Sequence, residues 1–278
     1  MLNTYIARQI YAKISFDATV SQKKVVEKLS EHLTSPDYER IFILNGYAGT
    51  GKTTLISALV EVLDDMGIKS ILLAPTGRAA KVLTHYSGKT ALTIHKRIYR
   101  QRTNASYESK FSLDFNKEKD AVFIIDEASM LSDSSGEGQI FGSGSLLEDL
   151  IKYVRSGERC RLILVGDNAQ LPPVGADFSP ALDESVMQQY GEIEYTSMDD
   201  VVRQSSESGI LFNATMVRCM LENGIYEIPR FELNFPDIES IQGNELMEKL
   251  DECYCRYGRD ETIVGTRSNR RESRYNEG

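Results

Sequence analysis

The sequence predicts an α/β protein in which a parallel sheet is covered by helices on both faces. Four short apolar runs predict the strands, at residues 41–44, 71–74, 122–125 and 162–165. None of these runs alternates apolar with polar residues, which indicates strands that are buried on both sides. Stretches of helical character separate or follow the strands, at residues 53–66, 78–86 and 146–155. This repeated alternation is typical of an open parallel sheet, which binds its ligands at the carboxyl ends of the strands.

The composition is that of a globular protein with an acidic balance. Its 278 residues are 41% apolar and 26% charged, with a formal net charge of −9, which is enough apolar side chain for a sizeable core. The acidic balance excludes a uniformly basic nucleic-acid coat but allows a local basic groove. No apolar run approaches the roughly 18 residues of a membrane span, and we expect no secretory signal. Four scattered cysteines favour free thiols and a cytoplasmic setting: Cys160, Cys219, Cys253 and Cys255.

The most specific motif follows the first predicted strand. Residues 46–54 read GYAGTGKTT, which contains the pattern G-x-x-x-x-G-K-[ST] between a strand and a helix. Its glycines let successive backbone N–H groups surround a phosphate, and the helix N-terminus adds a positive dipole end. Lys52 supplies a cation for the β- and γ-phosphates of a nucleoside triphosphate, and the Thr53 hydroxyl can join a Mg²⁺ shell. A chance glycine-rich turn is the alternative. We expect these residues to contact the nucleotide: Gly46, Tyr47, Ala48, Gly49, Thr50, Gly51, Lys52, Thr53 and Thr54.

Polar residues also follow the third and fourth predicted strands. Asp126 ends a buried strand, an unfavourable place for a carboxylate unless it meets a cation, so we expect it to organise Mg²⁺. Glu127 could activate the attacking water, with a surface ion pair to a lysine as the alternative. Gln170 is a candidate sensor of the γ-phosphate, or else a loop-capping amide. Arg203 is a candidate γ-phosphate cation, although an isolated arginine is more often a salt-bridge partner.

Six blocks, in this order along the chain, resemble the superfamily-1 DNA helicases of the RecD (exonuclease V alpha subunit) and Dda-like branch. They read GYAGTGKTT, APTGRAAKVL, TIHK, FIIDEASML, LVGDNAQLPPVGAD and VVRQ. The resemblance covers residues 22–204 well and continues more weakly to residue 278. It implies two RecA-like lobes with ATP between them and 5′–3′ movement along single-stranded DNA. We expect the first lobe at residues 1–243 and an incomplete second lobe at 244–278, because two late family blocks would lie beyond residue 278.

The resemblance assigns further roles by position. It supports the nucleotide-site roles already suggested by the residues themselves for Lys52, Thr53, Asp126, Glu127, Gln170 and Arg203. It also matches Gln22 to a glutamine that recognises adenine in the family. It places these residues in blocks that touch the DNA strand: Pro75, Thr76, Gly77, Arg78, Thr93 and His95. Arg267, Ser268 and Asn269 resemble the opening of the second lobe, which also grips DNA in relatives. The insertion at about 97–120 is predicted to be a small hairpin, at the position of a strand-separating subdomain in relatives.

Charge segregation independently favours DNA binding. Residues 78–102 contain seven cations and no acid: Arg78, Lys81, Lys89, Lys96, Arg97, Arg100 and Arg102. A second group, Arg267, Arg270, Arg271 and Arg274, is opposed only by Glu272. Such groups can neutralise phosphates, and the rings of His95, Tyr99 and Tyr107 could stack on bases. A solvated helix face is the alternative.

The remaining segments receive structural predictions. Residues 132–145 are rich in Ser and Gly and predict a mobile surface loop. Residues 245–257 and 267–277 predict helices that flank a strand at 262–266. Tyr5, Ile6, Ile10 and Ile14 have the helical spacing of packing residues. His32 and His85 stand outside any constellation, and we expect surface or boundary positions for both.

The function that these patterns favour is an ATP-dependent DNA helicase or translocase. Its partners would be single-stranded DNA and, by resemblance, nuclease or repair-complex subunits, without a membrane. One alternative is a nucleotide-gated DNA-binding protein without productive turnover. In the family, an arginine of the last block stabilises the transferred phosphoryl group, and we expect that block to lie beyond residue 278. A small-molecule P-loop kinase is a second alternative, but the sequence offers neither an acceptor pocket nor a lid.

Overall fold

All four apolar runs form strands of one parallel sheet. The computed structural model describes residues 2–14, 17–103, 109–133, 141–200, 208–259, 261–266 and 268–276. The sheet strands are β1 (Ile41–Gly46), β2 (Ser70–Ala74), β3 (Ala91–Thr93), β6 (Val122–Ile125), β7 (Arg161–Gly166) and β8 (Ile193–Met198), and a separate hairpin contains β4 (Tyr99–Thr103) and β5 (Ser109–Leu113). The sheet order is β3-β2-β6-β7-β1-β8, with every neighbouring pair parallel. The predicted α/β class is therefore confirmed.

Helices cover both faces of this sheet, as the apolar runs predict. One face packs against α1 (Leu2–Lys13), α2 (Val20–Thr34), α3 (Lys52–Asp65) and α4 (Gly77–Ser87), and the other packs against α5 (Ile94–Ile98), α6 (Leu146–Arg155) and α7 (Glu184–Met187). Phe42 and Leu44 of β1 point to the first face, whereas Ile41 and Ile43 point to the second. Because side chains alternate along a strand, one apolar run supplies both cores.

The sequence did not predict the two outer strands, β3 and β8. β3 has only three residues, and β8 is mostly half-buried, with the mixed sequence IEYTSM. An edge strand has a neighbour on one side only, so it lacks the continuous apolar run of a central strand.

Two predictions about the first helices need correction. Ile6 and Ile10 of α1 are buried and Ile14 packs against the same core, but Tyr5 is exposed. His32 is not a surface or boundary residue, because its side chain is completely buried against Phe42, with ring centroids 5.3 Å apart. The last turn of α2 packs on the sheet, and His32 lies on the side of the helix that faces it.

The insertion is an antiparallel hairpin, as predicted. β4 pairs with β5 from Tyr99 opposite Leu113 to Thr103 opposite Ser109, and Tyr107 lies outside the described residues. The predicted mobile loop falls mostly on residues 134–140, which are also outside them. Its last described part is ordered by Ser145, whose hydroxyl accepts the Glu148 N–H and caps α6.

Contacts divide the chain into two units, Met1–Arg203 and Gln204–Gly278. The second unit contains α8 (Gly209–Glu222), α9 (Leu246–Tyr257) and α10 (Asn269–Asn276), so both predicted terminal helices are confirmed. The strand predicted at 262–266 is wrong, since that segment pairs with no strand among the described residues. The predicted boundary at residue 243 falls inside the second unit, and the assignment of 244–278 to a second lobe stays a prediction.

Neither a disulfide nor a membrane-spanning helix occurs in the part of the chain that the structure describes. All four cysteines are free thiols, as expected. Within the described ranges, no helix is both long enough and apolar enough to cross a membrane.

Candidate functional site

Three loops meet at the carboxyl ends of adjacent central strands. They follow β6, β7 and β1, which are neighbours in the sheet. Lys52 begins α3 at the end of the loop after β1, Asp126 and Glu127 come from the loop after β6, and Asp167 comes from the loop after β7. All three carboxylates lie close enough to interact electrostatically with Lys52. The structure therefore brings together the predicted cation and the predicted acids.

The phosphate loop has the backbone shape that its glycines allow. Gly49 and Gly51 have φ values of 81° and 90°, in the left-handed region that favours glycine. A Cβ atom at Gly51 would lie 2.9 Å from the Gln22 amide nitrogen. Thr50 is buried, and its hydroxyl donates to the Tyr47 carbonyl at 2.8 Å. A side chain at Gly51 would therefore collide with the Gln22 amide and strain the loop backbone.

Lys52 is held inside this loop. Its ammonium donates to the carbonyls of Gly46 and Tyr47, the latter at 2.9 Å. Burial lowers the pKa of Lys52, and the three nearby carboxylates oppose that effect. Because these carbonyls are weaker partners than phosphate oxygens, a bound triphosphate can take over the ammonium.

Gln22 connects α2 to the phosphate loop. Its side-chain oxygen accepts the Thr19 N–H at 2.9 Å, and its amide nitrogen donates to the Thr50 carbonyl at 2.9 Å. The side chain is almost fully buried. An amide has two N–H groups, so one of them remains beside the loop. Adenine recognition by Gln22 stays a prediction.

Asp126 and Glu127 occupy a sharp turn directly after β6. The Asp126 carboxylate accepts the Glu127 N–H at 3.0 Å. Burial raises the pKa of Asp126, and the Glu127 N–H and Lys52 partly offset it. Glu127 has φ 55° and ψ 38°, a left-handed conformation that is uncommon for a residue with a side chain. Burial and the neighbouring Asp126 raise the pKa of Glu127.

The alternative for Glu127, a surface ion pair with a lysine, is not what the structure contains. The side chain is half-buried, and no described ion pair includes it. The cation that acts electrostatically on Glu127 is Lys52 of the phosphate loop. Glu127 therefore faces the site rather than the solvent.

A Mg²⁺ ion fits this site only together with a nucleotide. The described residues contain no cluster of three or more His, Cys, Asp or Glu side chains suited to a metal. They do provide the half-buried Asp126 carboxylate and the exposed Thr53 hydroxyl in the first turn of α3. Both are hard oxygen donors of the kind that Mg²⁺ selects, and it usually completes its shell with phosphate oxygens and water.

Sequence reasoning missed Asp167 and Asn45. Asp167 is almost fully buried after β7, accepts the Ala169 N–H at 2.9 Å, and acts electrostatically on Lys52 and Glu127. Asn45 accepts the Asn168 N–H at 3.0 Å and thereby joins the ends of β1 and β7. The argument used for Asp126, a carboxylate at the end of a buried strand, would also have identified Asp167.

Of the two predicted γ-phosphate sensors, Gln170 alone lies among the described residues. Gln170 lies in the loop after β7, and its backbone N–H donates to the Asp167 carbonyl at 3.1 Å. Its side chain is exposed and caps no loop among the described residues, contrary to the alternative assigned to it. Arg203 lies outside the described residues.

The predicted DNA-contacting blocks lie at helix starts. Pro75 precedes Thr76, whose hydroxyl accepts the Ala79 N–H at 3.2 Å and caps α4 before Gly77 and Arg78. Thr93 caps α5 in the same way, by accepting the Lys96 N–H at 3.3 Å. These helices follow the adjacent strands β2 and β3, so both blocks lie at the same end of the sheet as the phosphate loop.

His95, in the second of these blocks, is part of an aromatic group. It lies 5.7 Å from the Tyr99 ring and 5.1 Å from the Phe141 ring, measured between centroids. Burial lowers the pKa of His95, so the ring is neutral at physiological pH. Of the predicted second-lobe contacts, Arg267 lies outside the described residues and Asn269 begins α10.

Ion pairs neutralise some of the cations in the predicted basic segment, residues 78–102. Three of its seven cations are bound to acids from other parts of the chain: Lys89 to Asp64, Arg97 to Glu118 and Arg100 to Asp114. Arg78, Lys81 and Lys96 are exposed and have no ion-pair partner in the described ranges. The sequence did not reveal these ion pairs, because all three acids lie outside residues 78–102.

The parallel sheet, the phosphate loop and the facing carboxylates define a P-loop NTPase with a RecA-like α/β fold. More specifically, the chain belongs to the AAA_30 family, described as an AAA domain, whose model matches residues 18–216. It is related to the superfamily-1 helicases of the RecD and Dda-like branch, as its motifs predict.

Two curated relatives illustrate this similarity. The chain is 31% identical over 155 residues to the ATP-dependent RecD2 DNA helicase of Deinococcus radiodurans, covering 56% of this chain and 18% of that protein. It is 33% identical over 156 residues to the ATP-dependent DNA helicase dda of Enterobacteria phage T4, covering 54% of this chain and 30% of that protein. The chain thus spans less than a third of either relative.

A solved structure is also similar. The crystal structure of Bacteroides sp Pif1 in complex with ADP-AlF4 aligns with a TM-score of 0.47 and 19% identity, over 77% of this chain and 48% of that one.

Proposed function

We propose that the chain is the nucleotide-binding part of an ATP-dependent DNA helicase or translocase that moves 5′ to 3′ along single-stranded DNA. The observation that carries this proposal is the placement of Lys52, in a glycine-shaped phosphate loop, opposite Asp126, Glu127 and Asp167. Membership of the AAA_30 family and the helicase relatives support it. Residues 1–243 would be the first motor lobe and 244–278 the start of the second.

Each site residue has a role in this proposal. The loop from Gly46 to Thr54 surrounds the ATP phosphates with backbone N–H groups, and Lys52 exchanges its loop carbonyls for phosphate oxygens. Thr53 and Asp126 hold Mg²⁺, which neutralises charge on the phosphates when bound. Gln22 uses its remaining N–H to recognise adenine.

Glu127 is proposed as the base that activates water. A base works best when its pKa lies near the working pH, and both burial and Asp126 raise the pKa of Glu127 in that direction. Gln170 and Arg203 are proposed to sense the γ-phosphate.

Single-stranded DNA is the proposed second ligand. Its path would cross the starts of α4 and α5, where exposed Arg78, Lys81 and Lys96 have no acid bound to them in the described ranges. Pro75, Thr76, Gly77, Thr93 and His95 belong to the same blocks, and Arg267 and Asn269 would add contacts from the second lobe. Nuclease or repair-complex partners and a cytoplasmic setting belong to this proposal as well.

Release of inorganic phosphate by the full chain, with and without single-stranded DNA, tests the proposal. We expect DNA to stimulate release. Glu127→Gln should retain binding of a fluorescent ATP analogue but lose turnover by roughly 10²–10⁴-fold, whereas Lys52→Ala should lose the binding itself. Lys23→Ala, an exposed lysine on α2, is the matched control.

Two outcomes would replace the proposal with its alternatives. Tight binding of ATP and DNA without phosphate release, in the longest natural form of the protein, would identify a nucleotide-gated DNA-binding protein. Transfer of the γ-phosphate to a metabolite would identify a kinase.

A further inference from the structure

The segment that leaves β8 contacts both the phosphate loop and the start of α2. Met198, the last residue of β8, is fully buried and pairs with Gly46, the first residue of the loop. A Cβ atom at Gly46 would lie 3.1 Å from the Met198 Cβ atom. Two residues further on, the exposed Asp200 carboxylate accepts the Ser21 N–H at 3.0 Å. This segment therefore links two much earlier parts of the chain.

Asp200 supplies a negative charge that the start of α2 lacks. The first turn of α2 contains no acidic residue, although the free N–H groups at a helix N-terminus favour an anion. Hydrogen bonds from the Ser21 N–H, and then from the hydroxyls of Ser21 and Thr19, lower the pKa of Asp200, which keeps it ionised. Asp200 therefore fixes the first turn of α2 to the segment after β8.

The first turn of α2 carries the side chain that supports the phosphate loop. The Thr19 hydroxyl accepts the Gln22 N–H at 3.3 Å, and the Gln22 side-chain oxygen accepts the Thr19 N–H at 2.9 Å. The Gln22 amide nitrogen donates to the Thr50 carbonyl at 2.9 Å. A continuous series of hydrogen bonds therefore connects Asp200 to the middle of the loop.

The loop needs such support because its glycines permit the observed shape without imposing it. Gly49 and Gly51 have positive φ values, but glycine populates many other conformations as readily. A loop that is held in its bound shape loses less conformational freedom on binding, so it binds its ligand more tightly. Contacts to Thr50, which lies between these two glycines, should therefore affect affinity.

We propose that Asp200 is a positioning residue for the phosphate loop. By holding the first turn of α2, it keeps the Gln22 amide on the Thr50 carbonyl and the loop in the shape that binds a triphosphate. Asp200 needs no contact with the nucleotide for this role, and its effect does not depend on the base. The role rests on the proposed function, because the ligand of the loop is then the triphosphate of ATP.

Titration of the full chain with inorganic tripolyphosphate and with a non-hydrolysable ATP analogue, each with Mg²⁺, tests this role. Asp200→Ala should weaken both ligands equally, by about fivefold or more, as measured by isothermal titration calorimetry. Net charge alone predicts the opposite sign, because a protein that loses an acid attracts anions more strongly. Weakening of the ATP analogue without weakening of tripolyphosphate would overturn the role in the loop.

Two control variants separate positioning from charge and from folding. Asp199→Ala removes the neighbouring exposed acid, which accepts the Ser197 hydroxyl at 2.8 Å, and should not weaken either ligand. Lys28 joins α2 to β8 about two turns beyond Ser21, through the Glu194 carboxylate at 2.5 Å. Lys28→Ala should lower the midpoint of urea unfolding but leave the affinity for tripolyphosphate unchanged.

A double variant tests the connection through Gln22. In the Gln22→Ala background, Asp200→Ala should cause no further loss of affinity, because the link to the loop is already broken. Additive losses would overturn the role of Asp200, as would equal weakening by Asp199→Ala or Lys28→Ala. If Asp200→Ala binds both ligands as the wild type does, the role of Asp200 alone is rejected. If the wild type binds neither ligand, the proposed function fails together with it.

Discussion

At the scale of single residues, Gln22 combines two structural tasks. It completes the capping box at the start of α2 and supports the carbonyl of Thr50 inside the phosphate loop. The same buried amide therefore fixes the helix start and the loop shape. This is a reason for a glutamine at this position that is independent of any contact with adenine.

Gln22→Ala should lower the free energy of unfolding by about 1–2 kcal/mol, because the capping box is lost and the Thr50 carbonyl loses its donor. Urea unfolding followed by circular dichroism measures this change. Lys23→Ala, an exposed neighbour on the same helix, should have almost no effect. Equal stability of the Gln22→Ala and Lys23→Ala variants would contradict the structural role.

His32 is a buried base without hydrogen bonds. Neither ring nitrogen has a partner among the described residues. Burial, followed by the charges of Arg161 and Arg40, lowers the pKa of His32 to about 3. The unfolded chain takes up a proton below the ordinary value of 6.5, whereas the folded chain does not. Stability is therefore lost as pH falls from 6.5 toward 3.

His32→Leu should remove this loss. Between pH 8 and pH 5 the unfolding free energy of the variant should rise relative to the wild type by about 2 kcal/mol. Urea unfolding at both pH values measures the difference. His85→Leu replaces an exposed histidine and is the control. A gap that stays constant with pH would show that His32 is not the titrating group.

At the scale of elements, a buried carboxylate holds the hairpin against α6. Asp149 of α6 accepts the Tyr99 hydroxyl at 2.7 Å and the Ser143 N–H at 2.9 Å. Tyr99 begins β4, and its ring lies 5.3 Å from Phe141 between centroids. A Cβ atom at Gly142 would lie 1.8 Å from the Asp149 carboxylate. The hairpin, the segment before α6 and α6 itself are thus joined at one point.

Tyr99→Phe should destabilise the protein by about 1–3 kcal/mol, since it leaves a buried carboxylate with one donor fewer. Chemical unfolding measures the loss. Tyr86→Phe removes the hydroxyl of an exposed tyrosine and should be neutral. A neutral Tyr99→Phe variant would mean that Asp149 is satisfied without the hairpin.

The sequence predicted elements well where an apolar run or a motif identifies them, and poorly where tertiary contacts determine the structure. The four central strands and the phosphate loop follow from apolar runs and one motif. The edge strand β8 does not, because its pairing with β1 defines it. The segment 262–266 has the composition of a strand but pairs with no strand among the described residues. His32 and Asp167 were misjudged or missed because burial of one polar side chain depends on the packing around it.

At the scale of the whole molecule, cations and acids are unevenly arranged on an acidic protein. Several exposed cations are paired with acids, as Lys119 is with Glu158 and Arg159 is with Asp120. Arg78 and Lys81, which are three residues apart on α4, have no such partner in the described ranges. Phosphate contacts through these two side chains would release counterions from DNA.

Arg78→Ala/Lys81→Ala should therefore weaken binding of single-stranded DNA and make it less sensitive to salt. The slope of log affinity against log salt concentration should fall in magnitude by about 1.4, or about 0.7 for each lost contact. Fluorescence anisotropy over a salt series measures the slope. Lys119→Ala/Arg159→Ala changes net charge equally and should leave it unaltered, and identical slopes for both variants would contradict a localised DNA path.

The position of β1 in the sheet has a consequence for biosynthesis. Ile41 pairs with Leu162 on one side and with Ile193 on the other, so neither neighbour of β1 exists until much of the chain has been translated. Pairings between segments so far apart in sequence form slowly. A nascent chain that already carries GYAGTGKTT exposes Phe42 and Leu44 on the ribosome until β7 and β8 emerge. We therefore expect the phosphate loop to reach its folded conformation late, and chaperones to protect its strand in the meantime.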